Sequence, residues 1–111
     1  MGSTGPIVFA EETPRHQLEE NGVVTTLREN KRTVGNTWWR SSRTGEKQGN
    51  CHVELLVEHR IEGKDIRDEW VAESGFDSLK EWANAYRRVS DGAESAYIYR
   101  VTAGHDISYE F

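Results

Sequence analysis

The sequence predicts a single α+β domain in which mostly antiparallel strands curl into a small barrel that helices flank. The chain has 111 residues, which is enough to bury one hydrophobic core but not two. Short runs of β-branched and aromatic residues recur along it and indicate strands, and helical patterns precede and follow them. A curled sheet with helices at its ends covers its own edges, which favours this architecture. We therefore expect a tail at residues 1–6 and one domain at residues 7–111.

The first half of the chain is predicted to contain a strand, a short helix and two further strands. The helix opens at Thr13, which serves as the N-cap, with Pro14 in the first helical position and Gly22 closing it. The apolar and β-branched runs that predict the three strands cover residues 7–9, 23–28 and 37–41. A polar loop that contains glycine follows at residues 42–50.

The second half is predicted to contain a strand, two helices and closing strands. Asp65 is placed to cap a helix over residues 66–73, and Ser78 with Glu81 forms a capping box that starts a second helix. The residues of this helix that recur at helical spacing, and that we expect to face the core, are Leu79, Trp82, Ala83, Tyr86 and Val89. Strand patterns cover residues 53–61, 96–102 and 107–111.

The composition excludes several classes of protein and site. No apolar run approaches the roughly 20 residues that span a bilayer, and the N-terminus lacks a signal-peptide pattern. The single cysteine, Cys51, excludes an intrachain disulfide and a cysteine-based zinc site and fits a reducing compartment. The histidines are scattered, at His16, His52, His59 and His105. We therefore expect a cytoplasmic protein with no membrane segment, no metal and no cofactor.

Charge is distributed unevenly along the chain. The formal net charge is −5, yet residues 28–48 carry six basic side chains against two acidic ones, so this stretch is at +4 and the rest at −9. One positive face on an acidic body suits a phosphate-bearing ligand, although a solvated loop region explains the same pattern equally well. The six basic residues are Arg28, Lys31, Arg32, Arg40, Arg43 and Lys47.

The order of these segments resembles the ASCH family of small PUA-like barrels. The most specific likeness is at residues 72–82, where Ala-Glu-Ser-Gly-Phe-Asp-Ser-Leu-Lys-Glu-Trp is similar to the family's A-E-G-F-D-S-L-E-E-F segment. Residues 21–28 stand where the family has a G-R-K-T-x-T-x-R-like signature, and residues 34–36 stand where it has V-G-D. A closing strand at residues 97–101 completes the likeness, which implies a PUA-like β-barrel of mostly antiparallel strands.

The resemblance also implies a function. ASCH domains look like RNA-associated modules, and some members are amidohydrolases that remove acyl groups from the exocyclic nitrogen of cytidine with a Lys, a Thr and a downstream Glu. Carrying that set over places Thr26 at the nucleophile and Glu73 at the carboxylate, while Val23, or Val24 in the other register, occupies the lysine position. A threonine hydroxyl needs a base to become a nucleophile, and valine supplies none. We therefore expect binding without catalysis.

The expected ligand is RNA or a modified nucleoside or nucleotide, held in a cleft between the barrel and the helices. Phosphate contacts are expected from Lys31, Arg32, Arg40 and Arg43, and further ligand contacts from Thr26, Arg28, Glu73 and one residue of the pair Trp38 and Trp39. Two alternatives stay open at this site. Arg28 can instead form a structural ion pair with Glu73, and Thr26 can be an ordinary strand residue.

The adjacent residues Trp38 and Trp39 lie on a predicted strand, so their side chains leave opposite faces of the sheet. One of them can line the cleft or the surface, where it would form a stacking platform for a base beside Arg40. Packing beneath a helix is the alternative.

Two other functions remain open from the sequence, and so does the oligomeric state. One is an amidohydrolase that acts on N4-acylcytidine-type nucleosides with a rearranged base. The other is a protein-interaction module whose acidic surface meets a basic partner.

Overall fold

One mixed five-stranded sheet forms the centre of the computed structural model, which describes residues 6–32 and 34–104. The strands are β1 (Ile7–Val8), β2 (Val23–Arg28), β3 (Gly35–Arg40), β4 (Gly49–Leu55) and β5 (Tyr97–Ala103), and their order in the sheet is β1-β3-β4-β5-β2. The β1–β3 pair is parallel and the other three pairs are antiparallel, as the sequence predicted. The sheet curls into a half-barrel. The strand predicted at residues 107–111 lies outside the described residues.

In the described residues, three α-helices flank the sheet: α1 (Glu12–Asn21), α2 (Asp68–Ala72) and α3 (Leu79–Val89). A 3-10 turn at Gly63–Asp65 precedes α2. Within the described ranges, no helix is both long enough and apolar enough to cross a membrane.

The helix signals in the sequence were partly confirmed. The Ser78 side chain accepts a hydrogen bond from the Glu81 N–H at 3.2 Å, as the capping box predicted, and such a cap stabilises a helix by about 1 kcal/mol. Gly22 ends α1 with φ 79°, and its N–H donates to the Leu18 carbonyl at 2.9 Å. The predicted starts of the first two helices were wrong, because α1 already begins at Glu12 and α2 begins only at Asp68.

The strand predicted at residues 53–61 is interrupted. Regular pairing in β4 ends at Leu55, and the Leu56 N–H makes one further bond to the Ile98 carbonyl at 3.0 Å. The chain pairs with the sheet again at Ile61, which exchanges two backbone hydrogen bonds with Ala96 at 2.8 and 2.9 Å. Between Leu55 and Ile61, Leu56 and Val57 pack against the apolar cluster beneath α2 and α3. The apolar run at residues 53–61 therefore contains the end of β4 and a segment whose side chains pack on the outer cluster, and not one continuous strand.

The sheet separates two apolar clusters. The cluster inside the half-barrel consists of Ile7, Phe9, Leu18, Val24, Trp39, Cys51, Val53, Tyr99 and Val101. The cluster on the outer face consists of Ile61, Trp70, Trp82 and Ile98, and α2 and α3 contribute two of its members. Alternation along β5 sends Ile98 outward and Tyr99 inward. Val89 was predicted to face the core, but it is 62% exposed, so this prediction was wrong.

Burial makes Cys51 an unreactive thiol. Removal from water raises the pKa of Cys51 from its ordinary value of 9.0 to about 11, against a smaller opposing effect of the Arg32 charge. Since the thiolate is the reactive form, we expect modification by an aromatic disulfide reagent at pH 8 to be at least about 100-fold slower in the native protein than in denaturant.

The same shift lowers the stability of the native state as pH rises from 9 to 11, because the unfolded thiol ionises first. Reagent kinetics with and without denaturant measure the accessibility of the thiol. Equal rates in the two conditions would contradict the burial of Cys51.

Candidate functional site

A large cleft, which we call the seam cleft, lies at the seam between the two edges of the half-barrel. β1 and β2 are the two edge strands of the sheet, and the cleft of about 860 Å³ lies between them. Its other walls are the start of α1, the end of α3, and the loops that follow β2 and β3. This volume lies within the roughly 300–1,000 Å³ that ligand pockets occupy.

Arg28, the last residue of β2, reaches across this seam. Its Nη2 donates to the Val8 carbonyl of β1 at 3.0 Å, and its Nε donates to the Thr26 hydroxyl at 3.1 Å. The guanidinium carbon lies 5.0 Å from the centroid of the Phe9 ring. These contacts hold the guanidinium plane in one orientation against the cleft wall.

Arg28 forms no ion pair with any carboxylate in the described part of the chain. No described carboxylate lies within 4.0 Å of its guanidinium. Burial, together with the charge of Arg32, lowers the pKa of Arg28 from 12.5 to about 10, so the group remains a cation at pH 7. Arg28 is partly buried, so its charge has lost part of its hydration without gaining an ion pair, and a bound anion would offset that loss.

Two further arginines line the same cleft from different loops. Arg32 lies in the loop after β2, where its backbone N–H donates to the Tyr99 hydroxyl at 2.7 Å and fixes this loop over the end of the barrel. Arg43 is exposed in the loop after β3. Glu11 and Glu29 also line the cleft, so it offers carboxylate acceptors as well as guanidinium donors. Lys31 and Lys47 are exposed and do not line it.

Glu73 lies on the other side of the sheet. Its Oε1 accepts a hydrogen bond from the Arg100 Nε at 2.9 Å. Arg100 pairs with Thr25 in the β2–β5 register, so the Arg100 side chain shares the face of Thr25, while Thr26 points to the opposite face. The structure therefore does not bring Thr26 and Glu73 together, and the alternative ion pair between Arg28 and Glu73 is absent from the described residues.

The two tryptophans occupy opposite faces, as expected, and neither lines the cleft. Trp39 is 5% exposed in the inner cluster, with an edge-to-face contact to Phe9 at 6.2 Å between ring centroids. Trp38 is half-buried on the outer face, where the Arg40 guanidinium carbon lies 5.4 Å from the centroid of its ring. Trp39 shares the inner cluster with Leu18 of α1, in keeping with the alternative of packing beneath a helix, whereas Trp38 belongs to neither apolar cluster.

Sequence reasoning missed the wall that β1 and α3 supply. Val8, Phe9, Tyr86 and Val89 line the cleft, and so do the two carboxylate residues Glu11 and Glu29. None carries a motif, and their proximity depends on which strands form the edges of the sheet. The described residues hold no group of three His, Cys, Asp or Glu side chains that is arranged for a metal ion.

Comparisons with protein-family models, with curated proteins and with solved structures find no match to this chain.

Proposed function

We propose that this chain is an ASCH-type, PUA-like binding module that holds a nucleotide, free or within RNA, in the seam cleft. The observation that carries the proposal is the Arg28 guanidinium at the cleft wall, which is partly buried, held by two hydrogen bonds and unpaired with any described carboxylate. The ligand's phosphate is the anion that this group lacks.

A phosphate suits the donors that the cleft presents. Within the described residues, Nη1 of Arg28 donates no hydrogen bond, whereas Nε and Nη2 are engaged by the protein. A planar, always charged guanidinium binds phosphate oxygens in a defined direction, and its two fixed contacts reduce the entropy lost on binding. Arg32 and Arg43 add charge from two other segments of the cleft wall.

The remaining lining suits the rest of a nucleotide. Carboxylates accept hydrogen bonds from an exocyclic amine or a ribose hydroxyl, and Glu11 and Glu29 are available for this role. Apolar surface from Pro14 and Val89 can contact a base or sugar ring. Most small-molecule sites combine an apolar lining with a few polar groups in this way.

The proposed function is ligand binding without catalysis. The valines at the family's lysine position provide no amine, and Val24 is fully buried in the inner cluster. Glu73 is held by Arg100 on the face away from Thr26. A general base must lie within hydrogen-bond reach of the proton that it removes, and the carried-over Thr26 and Glu73 do not satisfy this requirement.

Calorimetric titration with cytidine 5′-monophosphate, uncharged cytidine and a short single-stranded RNA tests the proposal. We expect the phosphate-bearing ligands to bind much more tightly than cytidine. The logarithm of the RNA association constant should fall with the logarithm of salt concentration with a slope of roughly −2, as about three phosphate contacts predict. Equal binding of cytidine and its monophosphate, or no binding of any of the three, would contradict the proposal.

A further inference from the structure

The wall of the seam cleft continues directly onto the outer face of the sheet. Val8 lines the cleft and is the Cα partner of Arg40 in the parallel β1–β3 pair, so their side chains lie on the same face. Trp38 lies two residues earlier on β3 and therefore shares that face. Neighbouring strands are about 5 Å apart and alternate residues about 7 Å apart, which places Trp38 roughly 10 Å from the cleft wall.

Trp38 and Arg40 are in contact on the outer face of the sheet and together form what we call the Trp38–Arg40 surface. The Arg40 guanidinium carbon lies 5.4 Å from the centroid of the Trp38 ring, within the distance of a cation–π contact. The Arg40 Nε is buried and has no hydrogen-bond partner within the described residues. The neighbouring outer-face residues Asn36 and His52 are exposed, and Trp38 and Arg40 are each partly exposed.

Positively charged side chains lie between the cleft and Trp38. Arg43 lines the cleft and lies in the loop that begins directly after Arg40, the last residue of β3. A nucleic-acid strand that extends from the cleft across β1 would therefore pass Arg43 and Arg40 before it reaches Trp38. Bases stack on aromatic rings and on guanidinium planes with little regard to sequence, because every base has a π-face.

We propose that the ligand is a single nucleic-acid strand of at least two nucleotides, with one nucleotide in the seam cleft and its neighbour stacked on the Trp38–Arg40 surface. This inference rests on the proposed function of the cleft. The phosphate between the two nucleotides lies beside Arg40 and Arg43. A free mononucleotide fills only the cleft and makes none of the stacking contacts.

Trp38→Leu separates the two parts of this site. The binding of a fluorescently labelled RNA tetramer is measured by anisotropy and that of cytidine 5′-monophosphate by calorimetry, for the wild type, Trp38→Leu and the matched variant Trp38→Tyr. A stacked base contributes enough binding free energy that Trp38→Leu should weaken the tetramer roughly 5- to 150-fold. The mononucleotide affinity should not change, and Trp38→Tyr should retain most of the tetramer affinity. A DNA tetramer of the same sequence reports whether the strand must be RNA.

The outcomes distinguish this inference from the function on which it rests. If the wild type binds the tetramer no more tightly than the mononucleotide, or if Trp38→Leu leaves tetramer binding unchanged, the stacking inference is overturned while the cleft remains a nucleotide site. Loss of mononucleotide and tetramer binding by the same factor in Trp38→Leu also overturns it. If the wild type binds neither ligand, both proposals fall. Arg40→Gln removes the guanidinium from the same surface. If Trp38→Leu folds poorly, the same two binding measurements are made on Arg40→Gln.

Discussion

Replacing Arg28 with glutamine is expected to weaken nucleotide binding by about 10- to 150-fold. A hydrogen bond to a charged group contributes about 1.5–3 kcal/mol, and glutamine lacks both the charge and the guanidinium fork. Arg28→Lys keeps the charge but loses the planar donors, so its affinity should be intermediate. Calorimetric titration of cytidine 5′-monophosphate into each variant measures these differences.

The same substitution should alter stability much less than binding. Arg28→Gln loses hydrogen bonds to the Val8 carbonyl and the Thr26 hydroxyl, but it also removes a partly buried cation that has no ion pair. These effects oppose each other, and we expect the free energy of unfolding to change by about 1 kcal/mol or less.

Arg15→Gln is the matched control for Arg28→Gln. Arg15 donates from Nη1 to the Phe9 and Ala10 carbonyls at 3.3 and 3.2 Å, so it also fastens the segment after β1, but it does not line the cleft. If Arg15→Gln weakened binding as much as Arg28→Gln, the effect would be one of structure and the role of Arg28 as the phosphate ligand would be wrong.

Trp39→Ala is expected to reduce the free energy of unfolding by about 3–5 kcal/mol, the typical cost of removing a buried aromatic ring. The ring is 5% exposed, and it packs edge-to-face on Phe9 beside the cleft. Domains of this size have a net stability of about 5–15 kcal/mol, so the variant should be close to unfolding at room temperature. Urea denaturation followed by circular dichroism measures the change.

Trp38→Ala is the comparison within the same strand. Its ring is half-buried on the outer face, so we expect a loss of stability of about 1 kcal/mol or less. Equal losses for the two tryptophans would contradict the assignment of one to the core and the other to the surface.

Local signals were sufficient to predict several elements of the fold from sequence. Ser78 and Glu81 are three residues apart, and both the cap and the helix that it starts depend on that spacing alone. Gly22 closes α1 because a left-handed backbone conformation strongly favours glycine there. The alternation along β5 predicted that Ile98 and Tyr99 would face different environments.

Contacts between distant segments account for what could not be predicted. The Arg28 side chain is held by the Val8 carbonyl, 20 residues away, and Glu73 is paired with Arg100, 27 residues away. Both partners follow from the strand order, in which β1 and β2 become the edges of the sheet, and no local pattern encodes that order. The basic stretch at residues 28–48 was visible in the sequence, but only the curl of the sheet brings Arg28, Arg32 and Arg43 to one cleft.

The most direct test of the central claim is a nuclear magnetic resonance titration of isotope-labelled protein with cytidine 5′-monophosphate. We expect the largest shifts at the Arg28 side-chain Nε–H, at the backbone amides of Thr26, Arg28 and Arg32, and in the loop at Arg43. The Glu73 amide and the Arg100 side chain, on the opposite face, should move little. Shifts that centre on Glu73 and Arg100, or the absence of shifts at saturating ligand, would contradict the claim that the seam cleft binds a nucleotide through Arg28.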